Sequence, residues 1–159
     1  MDTVLLVDDD HGLRRLMTEW MIPDRVGFAL VTACDGLDAL RKLDEHDVGL
    51  VVTDIHMPRL DGIGLLAAMM ERHPNVPAIV LSVEDPEQLG PRVKGTGALR
   101  CLEKSLDPLV LSTHIANALR QRQFGGSVTG VSLFGFVQLL GMERKSCVVE
   151  VPIFTGLAP

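Results

Sequence analysis

Four short apolar runs in this sequence each stop at a side chain able to do chemistry. Val4–Val7 runs into Asp8, Asp9 and Asp10, Val48–Thr53 ends at Asp54, Ala78–Ser82 closes on a hydroxyl, and Ala98–Glu103 is followed by Lys104. Carboxylates brought close together repel and raise one another's pKa unless a cation joins them. A hard, oxygen-seeking ion that keeps several waters, Mg²⁺, suits a site built on two carboxylates. A hydroxyl and an ammonium beside that ion suit a phosphoryl group. Singly, each residue has a plainer role. A strand-end aspartate often only caps the next helix, as expected of Asp10, a lone Ser82 serves a turn, and a lone Lys104 is a solvated charge. The set as a whole is what points to chemistry.

Whether these residues meet depends on the elements that carry them. The apolar runs Val4–Val7, Phe28–Ala33, Val48–Thr53, Ala78–Ser82 and Ala98–Glu103 predict five strands. They are continuous rather than alternating, as expected of strands covered on both faces. Between them lie helical patterns: Leu13, Leu16, Met17 and Trp20 recur at i, i+3, i+4 and i+7, and Leu37, Leu40 and Leu43 follow a start near Asp35. Ile63, Leu66 and Met70 mark a third helix. Asp107-Pro108 opens a last helix striped by Leu111, Ile115 and Leu119. The stretch between the fourth and fifth strands holds Gly90, Pro91, Gly95 and Gly97, which predicts a short or irregular helix. Strands alternating with helices imply a parallel, doubly wound α/β sheet with right-handed crossovers. Ligands bind at the carboxyl ends of such strands. Asp8, Asp9, Asp54, Ser82 and Lys104 therefore belong to one crevice.

Composition narrows the class. Hydrophobic residues make up 47% and charged residues 23% of the 159, a globular balance. The net charge of −6 and the lack of a basic patch argue against a nucleic-acid partner. No apolar run approaches the roughly 20 residues that span a bilayer, and the opening MDTVLLVDDD has no basic leader, so neither membrane nor export signal is expected. Cys34, Cys101 and Cys147 are far apart and odd in number, which fits free thiols in a reducing cytoplasm. After Phe124 comes a Gly125-Gly126-Ser127 break. The tail predicts one helix capped by Ser132, with Leu133, Phe136, Val137 and Leu140 on a face, and a strand over Cys147–Val151. These residues are too few for a core of their own.

The segments VLLVDDD, VVTDIHMPRLDG, IVLS and LEKS resemble a response-regulator receiver domain of two-component signalling, over residues 1–123. The resemblance implies a (βα)5, flavodoxin-like fold. It implies that Asp54 accepts a phosphoryl group from a histidine kinase or phosphotransfer protein, with Ser82 and Lys104 contacting that group. It further implies Mg²⁺ held by Asp9, Asp54 and the backbone carbonyl of His56, with Asp8 acting through water. The output would be a contact with a downstream protein that the sequence does not name. Residues 124–159 resemble the start of a PATAN-type interaction domain, through GSVTGVSLFGFVQLLGMERKSCVVEV, with Cys147 where a glycine is expected.

Three departures from the receiver pattern stand out. Val83 replaces a small residue after Ser82 and is expected to narrow access to the phosphoryl group. Leu102 replaces an aromatic switch residue, and Ser105 replaces a proline. His56 and Glu84, two residues after Asp54 and Ser82 respectively, are expected to overhang the acceptor and pair across its mouth. Two competing readings stay open: a receiver-shaped binding module indifferent to phosphate, and a dehalogenase-like phosphatase with an aspartate nucleophile. The latter chemistry wants an acid two residues after the nucleophile, where this chain has His56.

Overall fold

The computed structural model describes residues 1–124 apart from Asp85, Lys94 and Leu106. The tail helix and strand, Cys147 and the PATAN-like segment lie outside the described residues. The elements run β1 (Thr3–Val7), α1 (His11–Trp20), α2 (Pro23–Val26), β2 (Ala29–Ala33), α3 (Gly36–Glu45) and β3 (Leu50–Asp54). They continue as α4 (Gly62–Arg72), β4 (Ala78–Ser82), α5 (Pro86–Val93), β5 (Ala98–Glu103) and α6 (Pro108–Phe124). Every strand pairing is parallel, in the order β2-β1-β3-β4-β5. This is the doubly wound five-stranded α/β sheet that the strand–helix alternation predicts.

The register explains how distant residues become neighbours. Val7 pairs with Thr53, so Asp8 and Asp54 follow side by side on the strands where the sheet order reverses. Asp54 pairs with Leu81, and Ser82 with Glu103, which puts Ser82 and Lys104 one step beyond on β4 and β5. The Lys104 N–H donates to the Ser82 carbonyl at 2.8 Å.

Strand residues alternate between two cores. Leu5, Val7, Val51 and Val80 face the side closed by α3, α4 and α5 with Leu40, Leu65 and Leu89. Val4, Leu6, Val52 and Leu81 face the other, with Met17, Phe28, Leu111 and Ile115. Every residue of β3 and β4 is buried, whereas the edge strands β2 and β5 are mostly half-buried or exposed.

Several expectations need correction. Phe28 precedes β2 rather than starting it, and its ring is buried beneath α1 and α6. Leu16, Leu37 and Met70 are exposed, though the sequence periodicity places each in an apolar stripe. In α3 and α4 the buried set is Gly36, Ala39, Leu40, Leu43 and Gly62, Leu65, Leu66, Met69. That stripe runs from the helix's first glycine, so the leucine or methionine one residue off it falls on the rim. The short α2 was not anticipated. Pro23 at its start and Gly27 at φ 79° after its end are the ordinary signals, but four residues carry no periodicity. The stretch expected to hold a short or irregular helix does form a short one, α5, eight residues with Pro91 inside, pinned by the buried Leu89 and Val93.

Candidate functional site

The crevice is built around one ammonium. Lys104 Nζ lies 2.5 Å from Asp54 Oδ2 and 3.0 Å from Asp8 Oδ2. Asp8 and Ser82 are essentially inaccessible and Asp54 is 5% exposed, so these polar groups have left water for one another. Asp54 Oδ1 accepts the N–H of Ile55 at 2.6 Å and, at 3.4 Å, that of His56. Asp8 Oδ1 accepts the Asp10 N–H at 2.9 Å. Ser82 Oγ accepts the Glu84 N–H at 3.0 Å, which leaves its own O–H available to donate.

Burial pushes the Asp8 carboxyl above its usual range, against the Asp10 N–H and the Lys104 ammonium. Burial disfavours the Lys104 charge too, but Asp54 and Asp8 outweigh it, so the lysine is held above its ordinary value and stays charged. Asp10, as expected, caps α1: its carboxylate accepts the N–H groups of Gly12 and Leu13, which lower its pKa.

The loops after β2 and β3 are tied to each other beside Asp54. After Asp54 the chain turns through Pro58, and Arg59 sits at φ 64°, left-handed for a residue with a side chain. Its guanidinium pairs with Asp35, the buried cap of α3, whose Oδ1 accepts the N–H groups of Leu37 and Asp38. The Gly36 N–H donates to the Leu60 carbonyl at 3.1 Å, where a methyl group on Gly36 would lie 2.6 Å from that oxygen. Gly62 is equally constrained, since a Cβ there would fall on the carbonyl oxygen of Asp54. The Asp61-Gly62 pair thus has a physical cause: Asp61 caps α4 and Gly62 lets that helix start against the end of β3.

At the mouth, His56 Nε2 lies 2.6 Å from Glu84 Oε1, the pair foreseen from the sequence. Arg92, which sequence reasoning missed, donates to Glu84 Oε2 at 2.7 Å. His56 first and Arg92 second hold the Glu84 carboxyl below its usual value. Val83 differs from expectation. It is 78% exposed and therefore not packed beneath this pair. Ser82 faces inward, and the alternation of an extended chain turns the next side chain away. Leu102 packs partly buried against the core that contains Leu111, and no cis peptide occurs among the described residues.

Asp8, Asp9 and Asp54 each offer one carboxylate oxygen, and these oxygens lie within 4.8 Å of one another. Asp8 Oδ2 is fully buried and accepts no hydrogen bond of good geometry, with the Lys104 ammonium 3.0 Å away. An oxygen-only, acidic set with one such lone pair fits a hard divalent cation, Mg²⁺, better than a nitrogen- or sulfur-seeking metal.

A sequence profile of the response regulator receiver domain matches residues 4–116. The chain belongs to this family. It is 33% identical over 118 residues to the transcriptional regulatory protein GlrR of Escherichia coli K12, covering 74% of this chain and 26% of that protein. Its fold is similar to a CheY-like receiver domain protein from Methanospirillum hungatei, with a TM-score of 0.72, 21% identity and coverage of 79% and 99% of the two chains. It is also similar to the response regulator TrrA of Thermotoga maritima, whose structure is a complex with Mg²⁺ and BeF, with a TM-score of 0.65, 24% identity and coverage of 74% and 99%. The receiver therefore has the acidic pocket that suits its family's Mg²⁺ and phosphoryl chemistry, on about a quarter of GlrR's length. Among the described residues, no helix is long and apolar enough to cross a membrane.

Proposed function

We propose that this receiver is a two-component switch in which Asp54 accepts a phosphoryl group from a histidine kinase or phosphotransfer protein. The observation that carries this reading is the bridge from Lys104 Nζ to both Asp54 and Asp8 at the strand-order reversal. Phosphoryl transfer needs positioning and neutralisation of charge more than a general base. Asp54 is held by the Ile55 N–H and attacks phosphorus, forming an acyl phosphate as the bond to the donor nitrogen breaks. Lys104 pairs with one oxygen of the incoming group, and the Ser82 O–H donates to another. Mg²⁺, held by Asp9, Asp54 and the His56 carbonyl with Asp8 through water, would neutralise further charge on those oxygens.

The acyl phosphate stores energy that a changed contact with a downstream protein releases. Neither nucleic acid nor membrane is assigned as a direct partner of residues 1–123, and residues 124–159 are assigned to a partial PATAN-like segment. The phosphatase reading is disfavoured because His56, where a general acid would stand, is engaged with Glu84. A phosphate-independent binding module remains the alternative to exclude. Intact-mass measurement after treatment with acetyl phosphate and Mg²⁺ decides: one phosphoryl group on the wild type and none on Asp54→Asn is expected. Stoichiometric labelling of Asp54→Asn would overturn the assignment.

A further inference from the structure

Glu84 has both carboxylate oxygens occupied, and its two partners come from different parts of the fold. His56 stands on the loop after β3, while Arg92 is in the last turn of α5. Glu84 itself follows Ser82, whose hydroxyl takes its N–H. One chain of charge-assisted hydrogen bonds therefore joins three elements over the crevice. The base of Arg92 is fixed by its neighbour Val93, which, with Leu89, is buried in the same core as Val51 and Val80.

We propose that Arg92 is a positioning residue: by holding Glu84 it holds His56 across the mouth and sets how long the acyl phosphate survives. The inference rests on Asp54 being the acceptor. Hydrolysis requires a water in line with phosphorus at roughly 3–3.5 Å and a clear approach. On this proposal the imidazole, held 2.6 Å from Glu84 on the loop that follows Asp54, is what narrows that approach. A single exposed pair of flexible side chains is too weak to stay closed, being screened and entropically costly. The second partner on the other oxygen restrains Glu84 from a seated helix.

The test compares phosphoryl decay in the full chain for wild type, Arg92→Gln and Arg92→Lys, each with His56 intact and with His56→Ala. Arg92→Gln is expected to lose phosphate about three-fold faster than wild type, the scale of one exposed charged contact. Arg92→Lys, which keeps the charge, should recover most of the lifetime. With His56→Ala the Arg92→Gln effect should vanish, whereas a purely structural role would act equally in both backgrounds. Unchanged decay in Arg92→Gln, or equal acceleration with and without His56, would overturn the proposal. Should Arg92→Gln not fold, Arg92→Met is judged against the same two outcomes. A wild type that takes no label at all removes the reading of Asp54 itself, and this inference with it.

Discussion

The Lys104 ammonium bridges two buried carboxylates on neighbouring strands, 2.5 Å from Asp54 and 3.0 Å from Asp8. Without a divalent cation it is the charge that keeps Asp8 and Asp54 from repelling each other across the sheet. On the proposed reading it also stands where a phosphoryl oxygen arrives. One side chain thus stabilises the resting site and, on the proposed reading, the charged product.

On the proposed reading Mg²⁺ draws on the same carboxylates that Lys104 neutralises. Lys104→Ala should lower the stability of the metal-free protein by about 3 kcal/mol, because a buried carboxylate loses its partner. Millimolar Mg²⁺ should then raise the melting temperature by more than it does in wild type, through binding to the native state. Thermal melts with and without Mg²⁺ check this. A smaller Mg²⁺ shift in the variant than in wild type would show that the ion does not share these oxygens.

The loop clamp predicts a pH dependence. Burial raises the Asp35 carboxyl, but the Asp38 N–H and the Arg59 guanidinium outweigh it and hold the group below its usual 3.8. A carboxyl depressed in the folded state contributes stability above the unfolded value, lost as pH falls through the lower folded one. Asp35→Ala should cost about 1–2 kcal/mol near neutrality through the lost cap of α3. The gap between variant and wild type should close as pH drops below 3.8. Urea unfolding at several pH values measures it, and a gap constant down to acid would exclude the carboxylate as its source.

The strands and their chemical ends were legible in the sequence because continuous apolar runs stopped by Asp8, Asp54 and Ser82 leave little choice in a parallel sheet. Asp10 and Asp107 were legible as caps for the same local reason, and each accepts an N–H from the first turn of its helix. The phase of the helical stripes was not, since Leu37 and Met70 are apolar but one residue off the buried face. Arg92 and Arg59 were invisible for a different reason. Their partners, Glu84 and Asp35, are set by where α5 and the Asp54 loop come to rest, and no spacing in the chain encodes that.

The route by which phosphorylation reaches the surface follows from what Leu102 lacks. It has no ring to bury, and it packs against the core on the Leu111 side. The Ser82 hydroxyl offers another link, because it accepts the Glu84 N–H at 3.0 Å just ahead of α5. That helix is seated at two buried residues and interrupted between them by a proline. Pro91 removes one of its backbone donors, Gly95 and Gly97 lie at positive φ beyond its end, and Leu89 and Val93 are its buried anchors among the described side chains. When Ser82 turns its O–H toward a phosphoryl oxygen, the Glu84 link and then the seating of α5 should shift before the rest of the sheet responds. Hydrogen exchange with and without beryllofluoride and Mg²⁺ should therefore differ mainly over residues 83–104. A difference confined to α1 and α3 would refute this route, since neither helix is joined to Ser82 or Glu84 by the contacts that define it.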